Sequence, residues 1–229
     1  MSTIAENIQN IYRIIAETAG KCGRNPKDIS LMAVSKTKPM SMLLEAYDAG
    51  MRLFGENRVQ EAVDKRKELP ADAEIQLIGH LQSNKTKLSV GNFSCIQSVD
   101  SLKIARKIND QALTLGIVQD ILLEVKTSEE EAKSGFSGEA LYFDSVKEIM
   151  AMENIQVKGL MTIAPFVDDE KIIRQSFSQC RLIFEKTKEI YPHAPLSVLS
   201  MGMSGDYRIA IEEGATLIRV GSSIFGTRS

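Results

Sequence analysis

Apolar residues in this chain keep two rhythms. Ile4, Ile8, Ile11 and Ile15 recur at three- and four-residue steps, the spacing that puts side chains on one face of an α-helix. Thr3 and Glu6 frame its start as a capping box, Gly20 closes it, and Asn25-Pro26 marks a turn. From residue 30 onward, short apolar runs at 31–36, 52–56, 75–80, 95–99, 121–126, 157–163, 196–201 and 217–220 predict strands. Helical spacing fills the intervals near 40–50, 58–69, 83–90, 101–115, 139–152, 168–191 and 205–213. Strand then helix, about eight times over, predicts a parallel sheet with helical crossovers. An open doubly wound sheet shares that alternation. About eight βα units in roughly 200 residues is nevertheless the count of a closed barrel. The predicted fold is α/β, a single-domain (β/α)8 TIM barrel with an extra N-terminal helix over residues 1–229.

No Gly/Ser/Pro-rich linker divides the chain, and the charged, glycine-containing stretch 128–138 reads as a lid or surface loop. The last predicted strand lies close to residue 229, so no second domain is expected. A hydrophobic content of 43%, a charged content of 25% and a net charge of −2 disfavour a disordered chain and a nucleic-acid polycation. The basic run Lys65-Arg66-Lys67 accordingly reads as a solvated helix face. Cys22, Cys95 and Cys180 have no paired spacing, which suggests a reducing compartment. The opening residues lack a signal-peptide pattern, and no apolar run approaches the ~20 residues of a membrane span. A cytoplasmic protein is expected. Cys180 falls on an apolar helical stripe with Ile173, Phe177 and Phe184 and reads as core. His80 and His193 are the only histidines and stand in no metal-spaced cluster, so no metal is expected.

Chemistry concentrates near the predicted strand ends. Met32, Val34 and Lys36 share one face of the first strand, which would place Lys36 at the C-terminal rim where barrel enzymes build their sites. A lysine there either reaches into water or loses its charge, for example by condensing with a carbonyl ligand, which a neighbouring cation such as Lys38 favours. The loops after the seventh and eighth strands, Ser200-Met201-Gly202-Met203-Ser204-Gly205-Asp206 and Gly221-Ser222-Ser223, offer backbone N–H groups and hydroxyls suited to a phosphate. Ser204 also suits an ordinary helix N-cap, and Gly221-Ser222 a plain turn. Barrel closure brings Arg219 beside Lys36. There it either pairs with a carboxylate such as Asp206 or Glu56, or faces the pyridine nitrogen of pyridoxal 5'-phosphate (PLP). An always-protonated arginine keeps that nitrogen unprotonated and the ring a weak electron sink.

The segments AVSKTKP (33–39), FGENRVQE (54–61), IGHLQSNK (78–85), KSGF (133–136), GLMTIAP (159–165), SMGMSGD (200–206) and RVGSSIFG (219–226) occur in this order. With them the chain resembles the PLP homeostasis protein family, itself related to the N-terminal barrel of alanine racemases. The resemblance implies a PLP-bearing barrel in which Lys36 forms the internal aldimine and Arg219 meets the pyridine nitrogen. It further implies that Ser200, Ser204, Gly221 and Ser222 surround the phosphate. Asn57 is a candidate ring contact or a helix cap. Lys126 departs from the asparagine expected in many relatives.

Two functions fit this reading. The first is a carrier that holds PLP as a Lys36 aldimine for intracellular vitamin B6 homeostasis and passes it to apo PLP-dependent enzymes. The second is a PLP-dependent amino-acid racemase or lyase. Two-base racemisation needs a proton acceptor on each face of the cofactor. In related racemases the second base is a tyrosine from a partner's β-domain, which is not expected here, and Tyr207 reads as a packing or surface residue. The carrier is therefore preferred, as a monomer without catalytic residues, and with no nucleic-acid or membrane partner. A sugar-phosphate enzyme would explain the loops but gives Arg219 no defined partner.

Overall fold

In the computed structural model, which describes residues 2–127 and 134–226, the first strand pairs with the last. The strands are β1 (Ser30–Val34), β2 (Leu53–Glu56), β3 (Glu74–Leu77), β4 (Cys95–Val99), β5 (Gln119–Glu124), β6 (Ile155–Met161), β7 (Val198–Ser200) and β8 (Leu217–Val220). All neighbours run parallel, and the register Ser30↔Leu217 through Ala33↔Val220 closes the barrel. That pairing excludes an open sheet. The helices are α1 (Ile4–Lys21), α2 (Met40–Asp48), α3 (Val59–Arg66), α4 (Thr86–Ser89), α5 (Leu102–Leu115), α6 (Glu139–Met150), α7 (Glu170–Ile190), α8 (Tyr207–Glu212) and α9 (Ser222–Phe225).

Alternation along each strand separates two cores. Leu31, Ala33, Leu160, Ile218 and Val220 join the large cluster shared with the helices. Cys95, Leu122 and Met161 form a separate small cluster. Met32 is fully buried, and a Cβ at Gly55 would lie 2.6 Å from its sulfur, so the glycine on β2 makes room for it.

Helix α1 starts with the anticipated capping box. Thr3 Oγ1 accepts from the Glu6 N–H at 3.2 Å, and Glu6 Oε2 accepts from the Thr3 N–H at 2.8 Å. Ile4, Ile8, Ile11, Ile14 and Ile15 are buried, each contributing about 1.5–3 kcal/mol relative to exposure. The helix packs on α2, α8 and α9, and Asn7 Nδ2 donates to the Ile224 carbonyl at 2.9 Å. The C-terminal segment is thereby tied to the N-terminal helix.

Several strands are shorter than the apolar runs that announce them. The run 31–36 leaves strand geometry after Val34, because Thr37 adopts φ 63° in a turn closed by the Lys38 N–H on the Ser35 carbonyl. The run 75–80 ends as strand at Leu77, and the stretch 83–90 becomes a 3-10 turn followed by the four residues of α4. Helix α9 begins inside the segment read as a phosphate turn. Within the stretch read as a lid, residues 128–133 lie outside the described residues. Among the described residues, no helix is long and apolar enough to cross a membrane.

Candidate functional site

At the C-terminal ends of the strands, where the barrel opens, lies a cavity of 370 Å³. It is within the range of small-molecule sites, about 300–1,000 Å³. Lys36, Asn57, Ser204, Arg219, Gly221 and Ser222 all line it, together with Lys38. Six of the seven residues singled out in the sequence therefore meet here, drawn from β1, β2, β7 and β8 and the turns that follow them. Three cations and no acid are among its described lining residues, which makes it a site for an anion. Larger recesses of 470 Å³ and 620 Å³ lie beside α6 and α7 and at the opposite end of the barrel, and neither holds this combination of lysine, arginine and donor loops.

The turn that carries Lys36 is clamped on both sides. Ser35 Oγ donates to Glu56 Oε1 at 2.6 Å, and the Ser35 carbonyl accepts from Lys65 Nζ at 2.7 Å. On the other side, the Thr37 N–H donates to Glu61 Oε1 at 2.7 Å. Lys65 Nζ also donates to Glu56 Oε1 and Glu61 Oε1, each at 2.7 Å, so all three of its donors are engaged. The solvated-helix reading of Lys65-Arg66-Lys67 is thus corrected for Lys65. Its ammonium is buried because the Glu56 carboxylate, fully buried on β2, needs a counter-charge. Burial holds the Glu56 carboxyl above its ordinary range, while Lys65 and Ser35 pull it down. Lys38 Nζ donates to the Phe225 and Gly226 carbonyls, both at 3.1 Å, fastening the same turn to the end of α9.

Arg219 projects from the middle of β8 and is 3% exposed. Its Nη1 donates to Ser200 Oγ at 2.7 Å and its Nη2 to the Thr162 carbonyl at 2.8 Å. Ser200 Oγ in turn donates to Gln97 Oε1 at 2.7 Å, and Gln97 Nε2 donates to Gln76 Oε1 at 2.6 Å. Ser200 is fully buried and absent from the cavity lining, so its hydroxyl holds Arg219 rather than facing the opening. Burial pushes the guanidinium down to about 10, opposed by Asp206 and Glu124, and it stays a cation at neutral pH. Neither Asp206 nor Glu56 forms an ion pair with it.

Ser204 does not cap α8, whose N-cap position is Asp206. Its Oγ instead accepts long hydrogen bonds from the Gly221 and Ser223 N–H groups, both at 3.4 Å. Backbone donors from the turn after β8 thus converge on the loop after β7, an arrangement that an anion exploits. Gly202 shapes that loop. Its φ is 92°, and a Cβ there would meet Ala210 Cβ at 2.5 Å. Asn57 is not the cap of α3 either, since Arg58 occupies that position without a side-chain cap. Asn57 Oδ1 is buried without a partner, an acceptor left open at the cavity wall.

A barrel whose lysine, buried arginine and donor loops converge at its mouth falls in the class of the alanine racemase N-terminal domain, and residues 3–229 match that family. The barrel of alanine racemase from Clostridium difficile superposes with a TM-score of 0.76 at 16% identity, covering 95% of this chain and 56% of that one, a likeness of fold. PipY of Synechococcus elongatus, solved with PLP bound, is 39% identical with a TM-score of 0.82 over 93% of this chain and all of that one. The pyridoxal phosphate homeostasis protein of Vibrio alginolyticus is 39% identical over 100% of this chain and 99% of its own length. The chain belongs to the pyridoxal phosphate homeostasis protein family.

Sequence reasoning missed the parts that act through other residues. Gln97 holds the Ser200 hydroxyl that accepts from Arg219, with a polar residue in an apolar strand run as its only signal, and the Thr162 carbonyl, which accepts from Arg219 directly, leaves none. Lys65 was hidden by its two basic neighbours. The spacing from Glu61 to Lys65 would have found one ion pair, since residues four apart share a helix face.

Proposed function

We propose that this protein holds PLP at the barrel mouth, linked to Lys36 as a Schiff base, and serves intracellular PLP homeostasis by passing the cofactor to apo enzymes. The observation that carries this reading is one cavity lined by Lys36, Arg219 and the donor turn Gly221-Ser222, with no acid among its described lining residues. It is supported by membership of the family and by a relative solved with PLP.

The residues fit the group. PLP supplies an aldehyde that a primary amine converts to an imine with loss of water. Lys36 provides that amine from a turn held at Ser35 and Thr37. The Gly221 and Ser223 N–H groups and the Ser204 and Ser222 hydroxyls take the phosphate, and Asn57 lies along the cavity wall as a ring contact. Arg219 stays protonated and leaves the pyridine nitrogen without a proton, so the ring draws electrons weakly.

Absence of turnover is the second part of the proposal. The ionisable side chains among the described lining residues are Lys36, Lys38 and Arg219. Tyr207 is buried in the first turn of α8 and does not line the cavity, so it offers no second proton acceptor. The test is borohydride reduction of the PLP-treated protein followed by peptide mass analysis. A pyridoxyl adduct on Lys36, lost in Lys36→Ala, is expected, and an equal adduct elsewhere in that variant refutes the assignment. Conversion of an L-amino acid to its D-form at roughly 1–10³ s⁻¹ overturns the carrier reading in favour of a racemase.

A further inference from the structure

Beside the cofactor cavity, and sharing Asn57, Ile78 and Ile163 with it, lies a second recess of 240 Å³. Glu124, the last residue of β5, lines it and is 7% exposed. Among the described residues its carboxylate makes no hydrogen bond and no ion pair. Asn57 Oδ1, on the wall between the two spaces, is also buried without a partner. A largely buried carboxylate and a fully buried amide oxygen, neither with a donor among the described residues, therefore border one small volume, and a donor entering it would serve both.

The groups around Glu124 do not supply them. Asp100 repels its charge and is engaged elsewhere, with Oδ2 3.1 Å from His80 Nδ1 and Oδ1 accepting from Ser101 Oγ at 3.1 Å. His80 Nδ1 also meets Ser134 Oγ at 3.2 Å. Arg219 attracts Glu124 electrostatically, but its guanidinium donates to Ser200 Oγ and the Thr162 carbonyl. Lys126 lines the recess without pairing with Glu124. The described residues hold no group of three His, Cys, Asp or Glu side chains that would bind a metal ion. A primary ammonium, with three N–H donors, one positive charge and no acceptor, is the complement of these walls. At roughly 30 Å³ per water the recess equals about eight waters, enough for a small amine.

We propose that this recess is an ammonium subsite, in which Glu124 and Asn57 receive the primary amine of a small amine or amino acid and present it beside the cofactor cavity. That the amine meets a cofactor aldehyde there rests on the function proposed above; the cation site itself rests on Glu124 and Asn57. Burial, aided by Asp100 and opposed by Arg219, pushes the Glu124 carboxyl up to about 7. An arriving ammonium selects the carboxylate and drives its proton into solvent. Binding therefore tightens as pH rises from about 6 to 8, with fractional proton release near neutrality.

Calorimetric titration of cofactor-free protein with ethylammonium chloride, in two buffers of different ionisation enthalpy, tests this directly. Ethylammonium is expected to bind with proton release, and 1-propanol, similar in size but neutral, is not. Glu124→Gln should weaken ethylammonium binding by about tenfold or more and abolish the proton release. A second measurement needs no substitution: the carbon-13 signal of the Glu124 carboxyl should move as ethylammonium is added. Unchanged binding in Glu124→Gln, or a carboxyl signal that ignores ethylammonium, overturns the subsite. PLP loading of the unsubstituted protein, read in parallel, separates the two readings. Loading without a Glu124-dependent ammonium site refutes the subsite alone, whereas that site without loading refutes the cofactor reading alone.

Discussion

Replacing Lys65 by methionine removes the counter-charge of a carboxylate that has no route to water. Glu56 is fully buried, its Oε1 accepts from Lys65 Nζ and Ser35 Oγ, and its Oε2 has no partner. Methionine keeps much of the side-chain length but none of the donors, leaving one hydrogen bond to that carboxylate. Breaking a buried pair by deleting one partner costs about 3–5 kcal/mol, a large share of the ~5–15 kcal/mol that holds a typical domain folded. With a urea slope of about 2–3 kcal/mol/M, the midpoint should fall by about 1–2.5 M. The sign of the pH effect follows from Glu56, whose folded carboxyl lies above its ordinary range because of burial. A raised carboxyl binds its proton more tightly folded than unfolded. Its stability contribution is thus retained at low pH and lost as pH climbs from the ordinary carboxylate range through the raised value. Removing Lys65 raises it further, so the deficit relative to the parent should shrink as pH falls from neutrality toward the ordinary carboxylate range. Adding Glu56→Gln should recover part of the loss at pH 7.5, because the buried charge is gone. Urea unfolding followed by circular dichroism measures all three proteins. A Lys65→Met midpoint within 0.2 M of the parent's, about 0.5 kcal/mol, or a deficit indifferent to both pH and Glu56→Gln, would refute the buried-pair argument.

Further outcomes can be read with simple assays. Gly202→Ala forces a Cβ to 2.5 Å from Ala210 Cβ at φ 92°; it should lower stability by about 1–3 kcal/mol in thermal unfolding and weaken PLP binding in equilibrium titration. Ser204→Ala removes the hydroxyl on which the Gly221 and Ser223 N–H groups converge and should reduce PLP affinity about tenfold while leaving the melting temperature nearly unchanged. Ser200→Ala leaves a donor of buried Arg219 and the acceptor Gln97 Oε1 unpaired, so it should destabilise by about 1–3 kcal/mol, which thermal unfolding will show. Of the three thiols, Cys22 is exposed, while burial raises Cys95 and pushes Cys180 up to about 12; a chromogenic disulfide should titrate one thiol in the native protein and all three in denaturant.

How much of this was legible beforehand depended on whether the signal was local. The helix face of α1, its capping box and the βα alternation are set by neighbours within a few residues, so the pattern of the chain reveals them. The end of β1 was overrun, because an apolar run does not show where the backbone turn at Thr37, with φ 63°, leaves strand geometry. Lys36, Arg219, Gly221 and Ser222 could be named because barrel topology dictates which strand ends meet. The inward direction of Ser200 toward Arg219, the burial of Lys65 and the lack of a hydrogen-bond donor to Glu124 among the described residues were not readable in this way. Each depends on partners from distant parts of the chain, and a polar residue looks the same in sequence whether its partner is water or a buried charge.

The order of elements, the candidate lysine at the first strand's end and the donor-rich turns were determined by the sequence itself, since periodicity and glycine-serine chemistry are written along the backbone. Only the closed barrel decided which charges are buried together, which hydroxyl holds the arginine and which carboxylate faces an open recess. The physical reason is that the cost of a charge is set by how much water and how many partners surround it, and those are known only after distant strands have come together.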